Sequence, residues 1–183
     1  MLSTRRSRVR AAAATGMAAV VVAVGAVTFN ASAQEVQAAH PIPSPNPTLA
    51  PPPGSTKVAE VHVQKGTQTY TCAGGVFGPT STPEARLVGQ GGPIHHFAGP
   101  SWQSERDDSL VTATRIAAGP PSPDAIPELL LGVNSHTGSG ILSPVTHIQR
   151  LHTSGGVAPT RSCTDGETAS VPYDATYVFW AAP

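Results

Sequence analysis

From residue 57 onward, apolar positions come in short runs separated by turn residues, and none recurs at helical spacing over ten or more positions. Residues 58–63 alternate with period two, the pattern of a strand with one buried face. Gln64, Lys65 and Gly66 then read as a turn and residues 67–72 as a returning strand, which predicts a first hairpin. Further strands are predicted over 85–88, 94–97, 110–116, 128–131, 145–151 and 175–180. Between them lie Gly- and Pro-rich clusters such as 89–93 and 119–123. About eight short strands spaced by turns predict a single all-β domain, a sandwich or a barrel with long loops, over 57–183.

The N-terminal third has a different texture. Arg5, Arg6, Arg8 and Arg10 precede an Ala- and Val-rich apolar stretch over 11–29, and Ala31, Ser32 and Ala33 then form a small-x-small site. This tripartite pattern predicts a signal peptide over 1–33 cut between Ala33 and Gln34, with a second candidate cut before Ala39. Arg5 and Arg6 form a twin-arginine pair, but Arg8 falls where an apolar residue is usual, so the general export route is favoured. Seven prolines between Pro41 and Pro53 predict an extended linker over 34–56 without a core of its own. No second apolar run of spanning length occurs, so the mature protein is expected to be secreted and to have no membrane segment.

Charge changes the picture once the leader is set aside. The whole chain is formally neutral, yet beyond residue 33 there remain 7 basic against 11 acidic residues, a charge of −4. Lys57 and Lys65 are the only lysines. Such a surface lacks the clustered cations that nucleic acid requires. Cys72 and Cys163 are the only cysteines, both in the exported portion, and are expected to be bridged. In the chain-entropy model, closing a loop of about 90 residues stabilises by roughly 4–5 kcal/mol.

Candidate chemistry is sparse. There is no nucleophile elbow, no dinucleotide fingerprint and no phosphate-cradling loop, and no cofactor is expected. His147 and His152 lie five apart on one predicted strand and so point to opposite faces, which argues against a shared metal. Glu105, Asp107 and Asp108 cluster near Trp102, and read as a solvated turn more readily than as a carboxylate pair. The most suggestive stretch is 95–103, where His96 and Trp102 flank a Gly-Pro turn; exposed, they would stack on a sugar, and buried, Trp102 and Phe97 are core. Arg150 stands out as a charge inside a half-apolar strand, suited either to a buried acid or to bidentate capture of a ligand.

Tyr70 to Cys72, His96 to Trp102, Ile148 to Leu151, Thr153 to Pro159, and Val171 through Tyr177 stand in a distinctive order and spacing. Together these segments resemble DUF3455, an exported domain of bacteria and fungi with no characterised function. Three positions depart from the family pattern: Asp108 stands where Gly is expected, His147 where an aromatic is usual, and His152 where Asn is common. The resemblance implies export and one domain, and no established activity.

The leading expectation is a non-catalytic extracellular or cell-surface binding module for a polysaccharide or cell-wall component, contacting it through His96, Trp102, Gln149 and Arg150. The alternatives are an extracellular hydrolase or metal-dependent enzyme using His96 with Asp107 or Asp108, and a structural secreted protein with no small ligand. Oligomeric state is left open.

Overall fold

The computed structural model describes residues 46–183. The expected signal peptide, its cut between Ala33 and Gln34, and the linker up to residue 45 lie outside the described residues. After a 3-10 turn at Pro47–Leu49, eight strands follow: β1 (Thr56–Ala73), β2 (Val76–Gln90), β3 (Ile94–Phe97), β4 (Ser101–Ser104), β5 (Leu110–Ala118), β6 (Leu129–Thr137), β7 (His147–Gly155) and β8 (Thr168–Ala181). Each pairs antiparallel with the next, and β8 returns to pair with β1, closing a barrel. The chain is therefore all-β, and of sandwich and barrel it is a barrel.

The interior is apolar. Val61, Leu87, Ile94, Trp102, Val111, Ile148, Tyr177 and Phe179 are fully or almost fully buried in one cluster. Burying each such side chain is worth about 1.5–3 kcal/mol. Outward positions of β1 instead carry His62, Gln64 and Lys65, all exposed.

The expected hairpin at residues 64–66 does not exist. β1 runs through it as one long strand, with a register shift between Val63 and Lys65 against β2. Gly66 is there for closeness, not for turning: a Cβ at this position would sit 2.8 Å from the Ala85 Cβ and 2.9 Å from the Tyr173 ring. The actual hairpin turn is Gly74 and Gly75, with φ of +64° and +81°, between the paired Ala73 and Val76. Two left-handed residues make the turn that matches strand twist. The bulge also exchanges the faces of β1. Before it, Ala59, Val61 and Val63 face the core; after it, Gln68 and Tyr70 are the buried positions. A polar amide thus enters the barrel where simple alternation from Val63 would place a neighbour.

The boundary expected at residue 57 also moves. Leu49 is fully buried with Leu130, Leu151, Val178 and Trp180 on the outer face of β6, β7 and β8. Its carbonyl accepts a hydrogen bond from Gln149 Nε2 at 2.6 Å. Residues just before β1 therefore belong to the packed domain, because one leucine among the prolines finds an apolar patch of its own. Cys72 and Cys163 form a disulfide that joins the end of β1 to the loop preceding β8.

Candidate functional site

The site grows from the short β3–β4 hairpin. β4 has no counterpart among the predicted strands, since four residues with two serines carry little periodicity. Its turn needs Gly99, at φ +122°, where a Cβ would come within 2.8 Å of Ser101 Oγ. The register sets His96 directly opposite Trp102. Their rings stack with centroids 4.3 Å apart and planes within 5°. Tyr177 from β8 meets both rings edge-on, at 5.3 Å from His96 and 6.0 Å from Trp102.

A cavity of about 250 Å³ lies over this aromatic group. Its floor includes His96, Trp102, Tyr177, Gln68, Leu129 and Leu131. Its rim is formed by residues 81–83 of β2 and the turn at 98–100. Arg150 reaches it from β7, neighbouring Tyr177 in the register. The guanidinium donates to Pro127 O from Nε at 3.1 Å and from Nη2 at 2.8 Å. Two of its five N–H groups are so engaged. Among the described residues it forms no ion pair with a carboxylate, and no Asp or Glu lines the cavity.

Protonation in the site follows from burial. His96 is 2 % exposed, and desolvation lowers its pKa to about 3, with the positive charge of Arg150 adding to the effect. Its Nδ1 lies 2.9 Å from Ser101 O. A carbonyl only accepts, so Nδ1 carries the proton and the neutral ring keeps its lone pair on Nε2. Burial likewise raises the pKa of both Tyr173 and Tyr177, whose hydroxyls are 3.2 Å apart.

Two buried donors in this group find no acceptor: Gln68 Nε2 and Trp102 Nε1. The Gln68 amide is held at its other end, where Oε1 accepts from Ser81 Oγ at 2.6 Å. It lies near enough to the Tyr173 hydroxyl to favour ionisation there, yet no acceptor meets Nε2 at hydrogen-bonding geometry. Leaving a buried donor unpaired costs about 1–3 kcal/mol.

Of the expected contact residues, the fold brings together His96, Trp102 and Arg150. It separates Gln149, which points to the opposite face of β7, where it is fully buried between Leu49 O and Trp180 Nε1. Adjacent strand residues face opposite ways, so Arg150 and Gln149 cannot share a site. Trp102, 1 % exposed, is no open platform for a sugar. Asp107 and Asp108 sit in the β4–β5 turn, at the far end of β4 from the Gly99 turn. The Asp107 carboxylate accepts from Ser109 Oγ at 2.6 Å and from Ile141 N at 3.0 Å, which lowers its pKa to about 2. Neither aspartate pairs with His96. Gln68 and Tyr177 were missed as site residues. The break in alternation at Lys65 and Gly66 was the available signal for Gln68.

Among the described residues, no group of three or more His, Cys, Asp or Glu is arranged to hold a metal ion. His147 is partly buried at the start of β7, while His152 is exposed with φ +52°.

The family model described as a protein of unknown function, DUF3455, matches residues 85–181. The chain belongs to DUF3455. The match begins within β2 and ends in β8, so it takes in His96, Trp102, Arg150 and Tyr177 and leaves out Gln68 and Cys72. Comparison with curated proteins and with solved structures finds no match to this DUF3455 chain.

Proposed function

We propose that this chain is an exported, non-catalytic binding module that takes a small molecule into its barrel. The observation that carries the reading is the cavity of about 250 Å³ floored by the His96–Trp102 stack and Tyr177 and reached by Arg150. Eight-stranded barrels have just enough interior to be filled by side chains or to hold one small ligand. A concave apolar site with a few convergent polar groups is the usual form of a ligand pocket. The low pKa of His96 leaves it a weak base.

Polysaccharide enters this reading only as a unit small enough for the cavity, since the rings that would stack on a longer chain are buried. Export is supported by the tripartite pattern of residues 1–33 and by the bridged Cys72 and Cys163, because disulfides persist in oxidising compartments. Mass analysis of the secreted protein is expected to give an N-terminus at Gln34.

Binding is tested by a thermal-shift screen of the purified protein against small metabolites, run beside Ala98→Trp, which places a bulky ring on the exposed rim. Hits that vanish in Ala98→Trp are expected. Hits indifferent to it, or none at all, would remove the pocket as the functional site.

A further inference from the structure

Given the binding role proposed above, we infer that the occupant is a small carboxylate with a flat or apolar body, its carboxylate held by Arg150. The side chains around the cavity include a cation and two buried unpaired donors, and no carboxylate to meet them. Arg150 brings a permanent cation that no carboxylate of the protein neutralises among the described residues. Pro127 O takes two of its five N–H groups and the Tyr177 hydroxyl lies within its reach, which still leaves guanidinium donors to spare. Gln68 Nε2 and Trp102 Nε1, on residues lining the same cavity, are buried donors with no partner. The neutral His96 adds no negative charge, and Tyr173 and Tyr177 are held in their protonated forms.

Such a set favours an arriving anion with acceptor oxygens, because unsatisfied buried polar groups are rare in folded proteins. A planar carboxylate matches the guanidinium fork, which presents two parallel N–H groups. A phosphoryl group, with more oxygens and more charge, would call for further cations, and no lysine or second arginine lines the cavity. The rest of the wall is apolar, with Leu129, Leu131, Pro83 and Pro100, and suits a hydrocarbon or aromatic body. A volume of about 250 Å³ limits that body to about the size of one ring or a short chain.

The test is calorimetric titration of the purified protein with benzoate and hexanoate beside benzamide and hexanamide, which keep each body and remove the charge. At least one acid is expected to bind ten-fold or more tighter than its amide. Arg150→Gln is expected to abolish that preference, and Arg150→Lys to keep the preference with weaker binding, since charge remains and the fork is lost. If Arg150→Gln does not fold, the acid-to-amide ratio of the unmodified protein still decides the matter. Amides binding as well as acids, in a manner blocked by Ala98→Trp, would overturn the carboxylate inference and leave the binding role standing. Failure of all four probes would overturn the carboxylate inference. The metabolite screen then decides the binding role independently.

Discussion

The His96 imidazole lies flat against the Trp102 indole, and that contact keeps a titratable ring where water does not reach it. In the unfolded chain His96 protonates near pH 6.5, whereas in the barrel it does so only near pH 3. Between those values the unfolded chain binds the extra proton, so stability rises with pH across the window. It is complete above pH 6.5 and is lost progressively as pH falls toward 3. The total effect is on the order of 5 kcal/mol. Urea denaturation at pH 7, 5.5 and 4.5 is expected to show this slope, and His96→Gln to flatten most of it. His147, also depressed by burial, contributes in the same sense and remains in the variant. Parallel slopes for the two proteins would assign the acid sensitivity elsewhere.

Trp102→Ala is expected to compromise folding and not merely a surface contact. The indole is 1 % exposed and packs against His96, Tyr177 and Phe179. A loss of about 3–5 kcal/mol is the usual cost of emptying such a space. Chemical denaturation measures it directly, and a loss below about 1 kcal/mol would contradict the packing described.

Among the described residues, Asp108 and His152 are the non-glycine residues with left-handed backbone, at φ +58° and +52°. They are also two of the three positions where the resemblance drawn from the sequence leads one to expect another residue, Gly and Asn respectively. Both of those residues tolerate this conformation better. His152→Asn is expected to stabilise by about 0.5–1 kcal/mol, and Asp108→Gly by less, because glycine also frees the unfolded chain. Destabilisation by either would mean that the present side chain makes a compensating contact.

Gln149→Leu should loosen the segment before β1. The amide joins Leu49 O to Trp180 Nε1, at 2.6 and 2.7 Å. Losing it leaves a carbonyl and an indole N–H unpaired, at about 1–3 kcal/mol each. Faster amide exchange at Leu49 and faster proteolysis before residue 56 are expected. Unchanged protection would show that the apolar contact of Leu49 alone holds the segment.

These residues also show what sequence pattern reveals. β3 was legible to the residue, because Ile94 to Phe97 lies between a glycine cluster and a Gly-Pro turn. The face of β1 was legible up to Val63 and lost after it, since one bulged residue reverses all later positions. Gly66 looks like a turn residue in sequence and instead marks close packing, while the Gly74–Gly75 dipeptide is the stronger hairpin signal. Arg150 drew notice as a charge in an apolar strand, and the same strand carried Gln149 to the other face. Leu49 was hidden among prolines because its partners are some 80 to 130 residues away.

The seam between β1 and β8 has a consequence for how the molecule comes into being. Thr69 pairs with Ser170, so the ring shuts across about a hundred residues of intervening chain. Contacts this distant form late and slowly. A chain threading out from its N-terminus therefore carries an open edge on β1 until the last strand arrives. Unpaired edges invite other chains. The disulfide from Cys72 to Cys163 ties β1 to the segment just before β8. Oxidation in advance of closure would shorten that vulnerable interval, making the thiol pair a kinetic safeguard as well as a brace for the finished barrel.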